Sequence, residues 1–136
     1  MPMLPRVAHR TLVAALLAVA LSWSAPGLIA QDAEVIPQAR PVLVWLSAVK
    51  SGNQDQLKTA FSAAMQRQFE ERGWGNVLMI YQEAFQKAFG DYAVADFSFE
   101  FAGGEDRGHV NIMHRGNKWP AVLVIRESTG WKVNER

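Results

Sequence analysis

The chain has 136 residues, contains no cysteine and carries a formal net charge of +1 at pH 7. The absence of cysteine excludes disulfides, a thiol nucleophile and lipid attachment through cysteine. Two of the basic residues, Arg6 and Arg10, lie in the first thirty residues, and no basic block follows them. Neither nucleic acid nor an anionic membrane is therefore an implied partner.

The first thirty residues have the order of a cleavable secretory signal. Arg6 and Arg10 precede an uncharged, apolar run (residues 11–23), and the small residue Ala30 follows. We therefore predict a signal peptide over residues 1–30 and an exported protein, either periplasmic or extracellular. The apolar run is shorter than the about 20 residues that span a bilayer, so no stable membrane anchor is predicted.

The rest of the chain predicts a single domain. Residues 31–40 are a short lead-in segment that contains a proline, and residues 41–136 are long enough for one hydrophobic core. A domain of this size does not require metals or crosslinks for its stability.

Two helices are predicted at the start of this domain. Pro41 begins the first helix, whose apolar side chains share one face: Val42, Trp45, Leu46 and Val49. Asn53 has the position of an N-cap, with Gln56 as its capping partner. The second helix is predicted to continue without interruption from Asn53 to Arg72.

A third helix is predicted after a tight link at residues 74–76. Asn76 is its predicted N-cap, and Gly90 ends it. Its predicted apolar face has seven residues: Val77, Ile80, Tyr81, Ala84, Phe85, Ala88 and Phe89.

After the third helix the apolar period changes to two, which is typical of strands. The first strand alternates between polar residues and three phenylalanines: Phe97, Phe99 and Phe101. Three more strands are predicted at residues 109–114, 120–126 and 131–135. Helices followed by strands indicate an α+β fold, with three helices packed on a curved antiparallel sheet of about four strands.

Two segments of the chain resemble one known superfamily. Residues 48–62 (AVKSGNQDQLKTAFS) resemble the helix, polar turn and second helix that open nuclear transport factor 2-like (cystatin-like cone) domains. Residues 120–135 (PAVLVIRESTGWKVNE) resemble their closing hairpin. The resemblance covers roughly residues 40–135 and is strongest to small exported bacterial domains of unknown function. It implies a cone-like fold with a pocket open at one end, and dimers that associate through their sheets.

The third strand predicts such a dimer independently. Its residues form two apolar sets on opposite faces: Ala121, Leu123 and Ile125, and Val122 and Val124. One set must therefore lie on the outside of the sheet, where Met113 of the second strand adds to it. We predict a homodimer through Met113, Val122 and Val124. The alternative is that long neighbouring side chains cover these residues.

Three side chains are candidates for a pocket. His114 shares a strand face with the apolar residues Val110 and Ile112, so it should point toward the helices. Tyr81 lies on the apolar face of the third helix, and Trp45 lies on that of the first. The alternative is a hydrogen-bonded histidine at the rim and a tyrosine that only fills the core.

Two tryptophans are predicted in connecting segments. Trp74 lies between two glycines, and Trp119 comes directly before Pro120. Each is either a plug over the end of the core or an exposed contact. The other aromatic side chains are assigned to the core.

The sequence predicts no catalytic, metal or cofactor site. His109 and His114 are five residues apart on one strand, so they point to opposite faces. Asp96 and Glu100 share a face but lie about 13 Å apart, too far for a glycosidase pair. Phosphate-binding, dinucleotide and zinc-protease motifs are absent.

These observations favour an exported, non-enzymatic domain that binds a small apolar ligand or a protein partner. The alternative is a pocket lyase or isomerase that resembles ketosteroid isomerase-type enzymes and uses His114 and Tyr81. Two inward polar groups within hydrogen-bonding distance in an open pocket would favour the enzyme, whereas a pocket filled by aromatic side chains would favour the binding protein.

Overall fold

The computed structural model describes residues 35–135. Within this range the chain forms an α+β fold, as predicted, with the helices first and an open antiparallel sheet in the order β1-β2-β3-β4. The predicted signal segment and its cleavage site lie outside the described residues. The elements are α1 (Arg40–Ser51), α2 (Gln54–Thr59), α3 (Ala63–Arg72), α4 (Trp74–Phe89), β1 (Phe97–Gly103), β2 (Arg107–His114), β3 (Asn117–Glu127) and β4 (Gly130–Val133).

Helix α1 forms where the apolar spacing predicts it. Pro41 lies in the first turn, where its missing N–H removes no helical hydrogen bond. Gly52 ends the helix with a φ of 72°, a left-handed conformation that glycine adopts without strain. Val42, Leu46 and Val49 are buried, and this face packs on the sheet.

The prediction of one continuous second helix is wrong, because residues 60–62 divide it into two helices, α2 and α3. Asn53 caps α2, as predicted, by accepting a hydrogen bond from Gln56 N at 3.0 Å. The interruption occurs because residues 60–62 pair with β4: Ser62 N donates to Val133 O at 2.9 Å, and Val133 N donates to Ala60 O at 2.8 Å. Residues 35–135 therefore contain four α-helices instead of the three helices predicted, together with two short 3₁₀ helices, Pro37–Ala39 and Val94–Asp96.

Ser62 then starts α3 as its N-cap. Its hydroxyl accepts a hydrogen bond from Met65 N at 3.3 Å and donates one to Asn134 Oδ1 at 2.6 Å. One side chain thus begins a helix and joins it to the end of the sheet.

The predicted link at residues 74–76 is also wrong, because α4 begins at Trp74, directly after Gly73. Asn76 does not cap the helix, and its side-chain amide donates to Arg72 O at 3.0 Å. Ile80 and Ala84, predicted on the apolar face, are exposed. The inward stripe is narrower and follows a spacing of three and four residues: Trp74, Val77, Tyr81, Phe85 and Phe89.

One face of the sheet meets the helices. Its buried residues are Phe97, Val110, Ile112, His114, Val122, Val124 and Val133. They join the helical residues in one core. Phe99 and Phe101 share this face but are only half-buried, since β1 is an edge strand.

A β-bulge in β3 changes the side that Trp119 faces. Val110 pairs with Val122 while Ile112 pairs with Trp119, so two residues of β3 oppose the single residue Asn111. Pro120 lies at this point and has no N–H for the ladder, which favours a bulge there. Trp119 and Val122 consequently both face the helices although they are three residues apart.

The predicted dimer interface is wrong in two of its three residues. Val122 and Val124 are buried on the helical side, so they cannot form an outer patch. The outer set of β3 is the other one, of which Leu123 is 37% exposed and Ile125 is half-buried. Met113 is half-buried and pairs with Lys118, whereas Leu123 pairs with His109, four residues away along β2, so Met113 and Leu123 are not paired neighbours.

A sheet-to-sheet dimer stays a prediction, and Leu123→Lys is the variant that tests it. The new charge would lie on the outer face, so the free energy of unfolding should change by less than about 0.5 kcal/mol. Any association through this face should be lost, as measured by light scattering over a range of protein concentrations. Val122→Lys would place a charge in the core and should unfold the domain. A dimer that persists unchanged in Leu123→Lys would contradict the prediction.

Candidate functional site

An apolar cavity of about 140 Å³ lies between α1, the C-terminal half of α4 and the sheet. Its lining residues are Val42, Trp45, Leu46, Phe85, Phe89, Phe97, Ile112, Trp119, Pro120 and Val122. None of these side chains is ionisable, and the surface that they expose to the cavity is almost entirely apolar. The cavity can therefore hold apolar groups.

Local sequence patterns position this lining. The 3–4 spacing of α1 places Val42, Trp45 and Leu46 on one face. Phe85 and Phe89 are one turn apart on α4. The bulge at Pro120 supplies the opposite wall, because it turns Trp119 inward beside Val122.

Trp45 forms one wall of the cavity, as predicted for a pocket residue. Its ring contacts those of Phe61, Tyr81 and Phe85 at centroid distances of 5.6, 5.0 and 5.3 Å. Its Nε1 is buried and has no hydrogen-bond partner among residues 35–135.

Trp119 lines the cavity and is half-buried, so it is neither fully covered by the core nor fully exposed. It lies in β3, and its ring meets that of Phe89 edge-on at 4.8 Å and 70°. Its Nε1 is also buried without a partner in the described part of the chain. Pro120, which predicts a break in the strand, was the available signal for this orientation.

Trp74 has the other predicted role, that of a plug over the core. The side chain is 5% exposed, and an exposed contact through it is therefore wrong. Its ring packs on Phe61 and Phe69, and its Nε1 donates to Glu70 Oε1 at 3.0 Å.

His114 points toward the helices, as the period of its strand predicts, and is 6% exposed. Its ring contacts Phe97 at 4.6 Å and Phe89 at 5.0 Å, two rings that line the cavity. His114 itself does not line it. Its Nε2 is buried and has no partner within residues 35–135.

The structure does not bring Tyr81 and His114 together, although the sequence suggested them as neighbours. Tyr81 packs against Trp45, Phe61, Phe69 and Phe85. His114 packs against Phe89, which lies eight residues further along α4. Eight helical residues correspond to about 12 Å, so the two polar side chains occupy different ends of the core.

Buried donors without acceptors are unusual in folded proteins. More than about 90% of such groups have a partner, and each exception costs about 1–3 kcal/mol. Edge-on contact with an aromatic ring compensates only part of this cost. The two indoles beside an apolar cavity therefore mark this region as the candidate site.

Other kinds of site find less support in the described residues. Among residues 35–135, no cluster of three or more His, Asp or Glu side chains could hold a metal ion. Asp96 precedes β1 and forms an ion pair with Arg115 at 3.1 Å. Over the same range, no helix is long and apolar enough to cross a membrane.

Comparison with known proteins gives no match to a family model, to a curated protein or to a solved structure. The superfamily named in the sequence analysis therefore stays a prediction.

Both tyrosines of the chain should lose their phenolic protons at a higher pH than an exposed tyrosine does. Burial raises the pKa of Tyr81 to about 12, with the negative charge of Glu135 adding to the effect. Burial raises the pKa of Tyr92 to about 12 as well; its hydroxyl donates to Leu46 O at 2.7 Å. The unfolded chain ionises near pH 10, so the folded state holds these protons more tightly.

The tighter binding of these two phenolic protons in the folded state adds to the free energy of unfolding. This contribution is fully present below pH 10 and should be lost as the pH rises from about 10 to 12. Ultraviolet absorbance of the phenolate, followed together with circular dichroism, measures both effects. Phenolate formation with a midpoint near pH 10 in the folded protein would contradict the assignment of both hydroxyl groups to the interior.

Proposed function

We propose that this protein binds a small apolar molecule in the cavity between α1, α4 and the sheet. The observation that carries the proposal is the cavity itself, a concave and almost wholly apolar surface at the edge of the core. For comparison, an engineered cavity of about 150 Å³ lined by Leu, Ile and Phe binds benzene. A cavity of about 140 Å³ has the size for a single ring.

The lining favours aromatic ligands in particular. Five of the ten lining residues carry aromatic rings, which pair with other rings in edge-on and offset arrangements. The described lining contains no charge that would attract an ion.

A protein partner is the second part of this hypothesis. Met79 and Ile80 are more than half exposed on α4 and offer an apolar surface outside the cavity. Single exposed apolar residues are common, however, so this surface supports the proposal less than the cavity does.

The alternative function, a lyase or isomerase resembling ketosteroid isomerase, depends on Tyr81 and His114 acting on one ligand. Tyr81 on α4 and His114 on β2 pack against different groups of side chains, which gives this alternative less support than the binding function. A proton transfer needs its acid or base within hydrogen-bonding distance of the reacting group.

We further propose that the domain is an exported member of the nuclear transport factor 2-like superfamily. The order of four helices and a four-stranded antiparallel meander, with a cavity between them, supports a cone-like fold. The order of charges and apolar residues in residues 1–30 supports export.

Benzene is a suitable probe for the cavity. Binding should shift the nuclear magnetic resonance (NMR) signals of the lining side chains and raise the melting temperature. At a concentration one hundred times the Kd, the free energy of unfolding should increase by about 2.7 kcal/mol. Val122→Phe should fill the cavity and abolish binding.

Leu123→Phe is the matched control, because it adds the same ring one residue later on the opposite face of β3. It should bind benzene like the wild type. Ile112→Phe is a second filling variant should Val122→Phe fail to fold. Equal binding of benzene by the wild type and by a folded cavity-filling variant would refute the proposed site.

Export predicts a defined new N-terminus. Protein recovered from the periplasm or the medium should begin at Gln31 or within a few residues of it, as measured by N-terminal sequencing. Replacing Leu16 and Leu17 by aspartate should block export by interrupting the apolar run. Recovery of exported protein that still begins at Met1 would contradict the prediction.

A further inference from the structure

Strand β1 is an edge strand whose outer side is open in the described part of the chain. The order β1-β2-β3-β4 gives the sheet two edges. The β4 edge is covered, because residues 60–62 bond to Val133. Within residues 35–135, no segment pairs with β1 on the side away from β2. An open edge of this kind is a template for pairing with another chain.

The register of the sheet identifies the backbone groups that point to this edge. Gly104 N donates to Arg107 O at 2.9 Å, and Arg115 N donates to Asp96 O at 3.2 Å. Both pairs continue the β1–β2 register at its two ends. Hydrogen-bonded pairs alternate in an antiparallel ladder, so the even-numbered residues of β1 bond to β2. The N–H and C=O groups of the odd-numbered residues therefore point outward.

Three of these residues have both groups free for a new strand. Phe97 is excluded, because its N–H donates to Val94 O. The backbone groups of Phe99, Phe101 and Gly103 that point outward have no protein partner among residues 35–135. The usual protections of an edge are also missing from β1, which contains no proline, no lysine and no bulge.

We propose that two copies of the chain pair antiparallel through β1, with Phe101 on the two-fold axis. Phe101 then lies opposite Phe101 of the second copy, and Phe99 lies opposite Gly103 in both directions. All of these residues point their backbone groups toward the partner strand. Each of the pairs can therefore form two backbone hydrogen bonds.

Charge and hydrogen bonding favour this register over its neighbours. With Phe101 on the axis, the carboxylate of Glu100 lies opposite the small, uncharged Ala102. An axis at Glu100 would place two carboxylates directly opposite each other, which is destabilising. An axis at Phe99 would require Phe97, whose N–H is already bonded.

The side chains of β1 also fit a second copy. Phe99 and Phe101 are only half-buried, and their exposed parts lie on the helical side of the sheet. Pairing would bring the two Phe101 rings together and would place Phe99 beside a glycine, which leaves room for the ring. Because the β4 edge is covered, the assembly closes at two copies. Neither Phe99 nor Phe101 lines the cavity, so this inference is independent of the proposed ligand binding.

Substitutions of Ala102 test the proposed pairing, because this residue is exposed on the outer face and lies opposite Glu100 of the second copy. The contact is smaller than a standard interface, so we expect a weak dimer that forms at about 0.1–1 mM protein. Ala102→Lys should lower the dimer Kd about fivefold at low salt, since symmetry creates two Lys–Glu pairs. Ala102→Glu should raise the Kd by a similar factor. Sedimentation equilibrium measures these values.

Three further variants serve as controls. Ser98 is exposed on the same face of β1 but lies opposite residue 104, beyond the strand. Ser98→Lys and Ser98→Glu should therefore leave the Kd unchanged. The double variant Glu100→Lys/Ala102→Glu should recover the affinity that Ala102→Glu loses, because it restores opposite charges across the two-fold axis.

Amide hydrogen exchange measured by NMR locates the contact. The N–H groups of Phe99 and Phe101 should exchange more slowly as the protein concentration rises, because the second copy accepts their hydrogen bonds. The N–H of Glu100 bonds to β2, so its exchange should not depend on concentration. Leu123→Lys, on the outer face of the sheet, should change neither the exchange nor the Kd.

Four results would overturn the inference. The first is a wild-type protein that remains monomeric up to about 1 mM. The second is a dimer whose Kd responds to Ser98 substitutions and not to those of Ala102. The third is a dimer that Leu123→Lys disrupts, because the copies would then meet through the sheet face. The fourth is slow exchange of the Phe99 and Phe101 amides in the monomer, which would mean that another segment already occupies the edge.

Discussion

The pairing of residues 60–62 with β4 is the connection on which the rest of the structure depends. Two backbone hydrogen bonds join this segment to Val133, and they cover an edge strand that would otherwise be open. Phe61 lies at this junction, fully buried, and its ring contacts four others: Trp45, Phe69, Trp74 and Tyr81. Because Trp45 is held against Phe61, its indole remains at the boundary of the cavity.

The cavity and its unpaired donors reduce the stability of the domain. The cavity leaves its lining side chains without packing contacts on one side. Each unpaired indole adds about 1–3 kcal/mol, in a domain whose total stability is typically 5–15 kcal/mol. A ligand in the cavity would supply the missing packing contacts but would not reach the two buried indole N–H groups. This is the physical reason for interpreting the region as a binding site and not as imperfect packing.

Short-range patterns in the sequence predicted much of the fold. The period of two predicted the inward orientation of His114, and the spacing of α1 predicted its buried face. The helix break at residues 60–62 could not be predicted in this way, since Phe61 continues the apolar spacing and pairs with Val133, 72 residues later. The sequence could not show which residues of β3 face outward either, because both faces of this strand are apolar. Within the site, Trp45 was predicted, but the inward turn of Trp119 depends on a bulge that the alternating pattern does not contain.

Helix α4 explains why the cavity lies at one end of the core. Its N-terminal half carries Trp74 and Tyr81, which pack on the ring of Phe61 and leave no room. Its C-terminal half carries Phe89, which meets Trp119 across the bulge, where two residues of β3 replace one. Straightening the bulge would return Trp119 to the outer face and remove one wall of the cavity. The residues proposed to hold a ligand are therefore ones that closer packing would use to stabilise the domain, so stability and the proposed binding oppose each other at this position.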